Sequence, residues 1–146
     1  PFQMSSAEFF TLVRDHLEPG GVMVVNLNMA NGGDGSINAY LCDTISSVFR
    51  NVMTSDVRGT TNRVLFASEE PIGFTVPTET GDFAYEERMS SLEPHYDGGL
   101  RFTDDRAPVE LLGIRMIDSL ISDELAYYKN IFAEKGLGGL IGEITG

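Results

Sequence analysis

Basic side chains are scarce. Lys and Arg number 10 against 22 Asp and Glu, a formal net charge of −12. Nucleic-acid binders need clustered Lys and Arg to displace phosphate counterions, so no nucleic-acid partner is expected. Cysteine is almost missing: Cys42 alone cannot close an internal disulfide, which fits a reducing, cytoplasmic setting. Apolar runs are short, as in Val22-Met23-Val24-Val25, against the roughly 20 residues a membrane-spanning helix requires. No basic stretch followed by an apolar one stands at the start, so no signal peptide is read there. What remains is 146 residues with 42 % hydrophobic and 22 % charged side chains, enough for one globular domain with a core. The chain starts at Pro1, a few residues before a strong helix signal, and the expectation is a cut through a larger domain.

The acidic excess is concentrated. Residues 69–110 carry 11 acidic and 3 basic side chains, whereas 1–68 and 111–146 are each at net −2. One reading is a solvated surface that keeps the protein soluble; the other is a negative wall beside a cationic ligand.

Periodicity organises the rest. Ser5-Ser6-Ala7-Glu8 reads as a capping box with Ser5 as the cap, and Phe9, Leu12, Val13 and Leu17 recur at helical spacing. Pro19-Gly20-Gly21 stops that helix. Val22–Leu27 shows no polar alternation in its first four positions, the pattern of a strand buried on both faces. A loop over 28–35 precedes a second helix, with Ile37, Tyr40, Leu41, Ile45, Val48 and Phe49 on one stripe and Asn38, Asp43 and Ser46 off it. Strands at 51–57 and 62–68 are expected to form an antiparallel hairpin. Residues 69–103 read as loops with one short helix around 82–92. After Pro108 the spacing predicts an amphipathic helix to about Glu134, ended by Gly136, Gly138, Gly139 and Gly142.

Familiar chemical motifs are few. Gly32-Gly33-Asp34-Gly35 sits where a phosphate cradle would lie, but it matches neither glycine-rich fingerprint, and Asp34 would repel phosphate. His16 and His95 have no Cys or carboxylate at metal-ligand spacing and read as surface or structural histidines. Cys42, near an apolar stripe, reads as a buried thiol. No G-x-S-x-G elbow is present. The richest polar cluster is Thr103-Asp104-Asp105-Arg106-Ala107-Pro108-Val109-Glu110. Its paired carboxylates are placed either to cap the following helix or to hold an ammonium or metal ion at the mouth of a cleft.

The order of elements, with Leu17-Glu18-Pro19-Gly20-Gly21-Val22-Met23-Val24-Val25-Asn26 and a hairpin ending Thr61-Asn62-Arg63-Val64-Leu65-Phe66-Ala67, resembles the C-terminal half of the Rossmann-like methyltransferase fold. Pro1-Phe2-Gln3 leading into Ser6-Ala7-Glu8-Phe9-Phe10 resembles the spermidine synthase (polyamine aminopropyltransferase) family. The segment from Thr103 to Glu110 is similar to the T-D-D-x-A-P-V-E of bacterial spermidine synthase-like domains, some of them fused to membrane transporters. The fold class implied is α/β: the C-terminal half of a Rossmann-like methyltransferase-type sheet (helix–strand–helix–antiparallel hairpin) over 1–68. The acidic loops and a C-terminal helical extension, 69–146, would then pack on that same domain.

The resemblance implies transfer of an aminopropyl group from decarboxylated S-adenosylmethionine, the co-substrate of the complete domain, to a small-molecule polyamine. Its catalytic acidic residue and adenosyl loop would lie before Pro1, so this chain is expected to hold no catalytic residue, to bind no cofactor alone, and to self-associate or pair with the missing N-terminal half. Gln3, Asp104 and Asp105 become the candidate substrate-binding residues. Gln3 stands where many members carry glutamate, and Arg58 and Arg63 flank the hairpin loop where members usually place a tyrosine and a proline. Two arginines there would repel a polyamine if they faced the cleft. A methyltransferase-like enzyme with another acceptor and a non-catalytic binding domain of the same fold are the alternative readings. The location implied is the cytoplasm, or the cytoplasmic soluble domain of a membrane-anchored parent.

Overall fold

The computed structural model describes residues 2–28, 35–57, 60, 62–73 and 91–145. They fall into two units, Pro1–Glu110 and Leu111–Gly146. The first unit opens with a short 3-10 turn, Phe2–Ser5, followed by α1 (Ala7–His16), β1 (Met23–Asn28), α2 (Ile37–Ser46), β2 (Asn51–Asp56), β3 (Asn62–Ser68) and the two-residue β4 (Glu93–Pro94).

Helix α1 is capped by Ser6, not Ser5: the Ser6 side chain accepts from Phe9 N–H. The register moves by one because Ser5 belongs to the preceding turn, and Glu8 is drawn to a partner outside the helix. Of the expected stripe, Phe9 and Leu17 pack against the core, whereas Leu12 is 60 % exposed and Phe10 is the buried residue of the helix. Pro19-Gly20 ends the segment in a turn, with Gly20 at φ 76°, a conformation that favours glycine. Ser36 caps α2 in the same way, accepting from Ala39 N–H.

The sheet runs β1-β3-β2-β4 with every neighbour antiparallel. The hairpin forms as expected, but its second strand inserts between the first and β1, pairing Met23 with Ala67 and Leu27 with Arg63. Phe10, Leu27, Cys42, Ile45, Phe49, Val52, Leu65 and Ala67 form one core between the two helices and one face of the sheet. Removing the Leu65 side chain from such a site costs about 2–5 kcal/mol.

Among the described residues one face of β1 is covered and the other is open. Val22 and Val24 are 43 % and 58 % exposed while Leu27 is 4 % exposed, so the expected burial on both faces does not hold among the described residues. The reason is layering: α1 and α2 both pack on the Leu27 side, and the row Val24, Phe66, Met53 lies on the other. On α2, Asn38 and Asp43, placed off the apolar stripe, are buried at 2 % and 5 % exposure. The short helix read at 82–92 lies, but for its last two residues, outside the described residues.

Helix α3 (Val109–Thr145), which makes up nearly all of the second unit, breaks at Gly136, close to the expected end at about Glu134, and then resumes as a further helical stretch to Thr145. Of the four glycines thought to stop it, only Gly136 leaves helical geometry, at φ 65° and ψ −167°. The Tyr127 hydroxyl donates to Glu143 Oε1 at 2.5 Å across that break, so the helix folds back on itself. No helix among the described residues is long and apolar enough to cross a membrane.

Candidate functional site

The site is assembled at the start of α1. The Leu17–Val22 connection turns the chain from the end of α1 into the start of β1, which puts the first turn of α1 at the carboxyl end of β1. The same end carries the register pairs Leu27 with Arg63 and Asp56 with Arg63.

Thr103-Asp104-Asp105-Arg106 forms a tight turn closed by reciprocal backbone bonds, Thr103 N–H to Arg106 O at 3.2 Å and Arg106 N–H to Thr103 O at 2.9 Å. The turn is fastened to the first turn of α1. Ala7 N–H donates to Phe102 O at 2.9 Å, Ser6 Oγ donates to Asp104 Oδ1 at 2.5 Å, and Asp104 N–H donates to Glu8 Oε2 at 3.1 Å. Two carboxylates, Asp104 and Glu8, therefore gather at the positive dipole end of α1, a favourable place for anions. Cap of the following helix is not the role found: α3 begins at Val109, and the Asp104 side chain turns to Ser6 instead.

The Ser6 hydroxyl that bonds Asp104 also lies 3.3 Å from the backbone carbonyl oxygen of Gln3, so the two residues approach one another through the Gln3 main chain. The Gln3 side chain is exposed, and Asp105 is exposed at the tip of the turn. The structure thus brings Gln3 and Asp104 to one locus, with Asp105 beside them.

The expected repulsion from the hairpin is removed at Arg63. Its guanidinium forms a two-pronged pair with Asp56, Nε to Oδ1 at 2.7 Å and Nη2 to Oδ2 at 3.1 Å, which holds its pKa above the ordinary value. Arg58, the other hairpin arginine, lies outside the described residues, as do Gly32, Gly33 and Asp34 of the glycine-rich loop. His16 Nδ1 donates to Leu12 O at 2.7 Å within α1. No group of three or more metal-ligating side chains occurs among the described residues.

A second constellation was not anticipated. Asp43 and Thr44 on α2 receive the segment that leads into the turn. His95 Nε2 lies 2.8 Å from Asp43 Oδ1, Leu100 N–H donates to Asp43 Oδ2 at 3.1 Å, and Phe102 N–H donates to Thr44 Oγ1 at 3.0 Å. The fully buried Phe102 ring stacks on Tyr40 at 4.8 Å between centroids. The available signal was weak: Tyr40, Asp43 and Thr44 recur at i, i+3, i+4, a spacing that marks one helix face without naming its partner.

With this geometry in place, similarity to known proteins becomes decisive. The chain is 44 % identical over 166 aligned positions to a probable polyamine aminopropyl transferase of Bifidobacterium longum (strain NCC 2705), with 97 % of this chain matched. The chain belongs to the polyamine aminopropyltransferase (spermidine synthase) family. It spans 37 % of that relative's length. No family model matches it, and no solved structure does.

Proposed function

We propose that this chain is part of an aminopropyltransferase domain that transfers the aminopropyl group of decarboxylated S-adenosylmethionine to a polyamine, and that the Asp104–Asp105 turn holds the amine. The observation that carries the reading is the fastening of that turn to the first turn of α1, at the carboxyl end of β1. The strand order β1-β3-β2, all antiparallel, supports the finer assignment to a Rossmann-like methyltransferase-type sheet, whose closing hairpin strand inserts in this manner. The name of the B. longum relative favours aminopropyl transfer over another acceptor or a non-catalytic role.

In this reading the polyamine nitrogen attacks the methylene carbon beside the sulfonium, the carbon–sulfur bond breaks, and methylthioadenosine departs. The ammonium proton must first be removed by a base, assigned to an acidic residue preceding Pro1 in the longer protein. The contribution of the present residues is to bind and orient. Asp104 and Asp105 offer negative charge to a distal ammonium, and the Asp56 pair removes the Arg63 charge from competition. Gln3 offers a neutral amide to the same ligand. The chain alone is expected to bind no S-adenosyl compound, and β1 is assigned to pair its outer edge with a strand from the rest of the domain or, in isolation, with a second copy.

The test uses the complete protein. Asp105→Asn is expected to weaken polyamine binding about fivefold, leaving nucleotide affinity and melting temperature unchanged, as suits an exposed charge near one ammonium. Asp104→Asn is expected to weaken it similarly while also lowering the melting temperature by a few degrees, since the charge-assisted bond from Ser6 is lost. Polyamine affinity at the wild-type value in both variants overturns the assignment.

A further inference from the structure

We infer that Asp43 is a positioning residue for the Asp104–Asp105 turn, setting where its carboxylates stand through the segment His95–Phe102. This inference rests on the amine-binding reading of the turn proposed above.

A carboxylate 5 % exposed is costly unless fully partnered. Asp43 sits in α2 with both oxygens engaged, and both partners come from one segment more than 50 residues later, His95 and the Leu100 amide. Neither bond stabilises α2 itself. Their effect is to bend 95–100 around the carboxylate. The fit is close: a Cβ on Gly98 would stand 2.6 Å from Asp43 Oδ2 and 3.2 Å from its Cγ. Gly98 is not among the positive-φ glycines, so the demand for glycine there is steric, and the nearest atoms to the added Cβ are all of Asp43.

The bend is then handed on without slack. Asp97 accepts from Gly99 N–H at 2.8 Å and pairs with Arg101 at 2.5 Å, which stiffens the loop. Gly99, at φ 91°, supplies the left-handed residue this turn needs. Phe102 is locked three ways: its N–H to Thr44 Oγ1, its ring on Tyr40, and its carbonyl to Ala7 N–H. Asp104 is only two residues further, a reach of about 7 Å. Displacing His95–Phe102 therefore moves the carboxylates relative to α1.

The experiment measures polyamine and nucleotide affinities by calorimetry on the complete protein, for Asp43→Asn and Gly98→Ala, each alone and combined with Asp104→Asn. Each single variant is expected to weaken polyamine binding about three- to tenfold and leave nucleotide affinity within about twofold. In the Asp104→Asn background either change is expected to have less than about a twofold effect, because the group being placed is gone. His95→Gln, which keeps a donor within reach of Asp43, is expected to retain most of the wild-type affinity where His95→Ala does not. Full additivity with Asp104→Asn, or equal loss of both affinities, overturns the inference and leaves Asp43 a purely structural residue. Undiminished polyamine affinity in both Asp104→Asn and Asp105→Asn overturns the underlying reading instead. Should Asp43→Asn fail to fold, Gly98→Ala and His95→Ala carry the same decision, since neither removes the buried carboxylate.

Discussion

Cys42 stands next to Asp43 with the opposite chemistry. The residue is 1 % exposed, and burial pushes the thiol pKa up to about 11, overriding the Arg63 guanidinium that pulls it down. The folded chain keeps this proton to higher pH than the unfolded one, whose thiol titrates near 9. The stabilisation is therefore complete below about pH 9 and is lost as pH rises toward 11. A shift of that size corresponds to about 3 kcal/mol. Wild type is expected to lose stability more steeply between pH 9 and 11 than Cys42→Ala, in denaturant titrations at each pH. Thiol reagents at pH 8 are expected to label Cys42 only after unfolding. Burial of this cysteine was legible, since it lies near the apolar stripe of α2. Burial of Asp43 was not: helical periodicity sends a carboxylate outward, and its partner His95 is 52 positions away. Asp104 was found as a candidate from its motif, yet its bond to Ser6 spans 98 positions and no local rule reaches that far.

Helices and strands differ in how openly they announce themselves. The hairpin strands appear within a residue of their expected bounds, because alternation and a turn-rich spacer act locally. The layering of β1 does not follow from its own residues: Val24 is apolar yet exposed, and the face it shares with Phe66 depends on which side the helices take. Helix α3 teaches a related point about glycine. Gly138 and Gly142 remain within the helix, and only Gly136 takes angles that an L side chain avoids. Alanine at 136 costs about 1–3 kcal/mol in that conformation, so the cheaper outcome is a straightened helix. Gly136→Ala is expected to raise the far-UV helical signal and to separate Tyr127 from Glu143. The Tyr127 phenol, whose pKa is raised chiefly by its hydrogen bond to Glu143, then titrates in the ordinary range, which ultraviolet difference titration reads directly.

At the scale of the whole molecule, the sheet has an unfinished side. Among the described residues β1 pairs with β3 and with no other strand, and its outer neighbourhood carries the exposed Val22 and Val24. A strand edge bordered by apolar side chains invites pairing. The isolated 146-residue chain is expected to sediment as a concentration-dependent oligomer, with Val24→Lys shifting it toward monomer; a stable wild-type monomer at high micromolar concentration counts against edge pairing. The same strand order has a temporal consequence. During synthesis β1 emerges about 40 residues before the strand that joins it, since Met23 pairs with Ala67. At 5–20 residues per second the ribosome leaves it waiting for roughly 2–8 s. For that interval the edge of β1 that β3 will take stays unpaired on the most apolar strand of the sheet, which makes that edge a point of engagement for a chaperone at the exit tunnel.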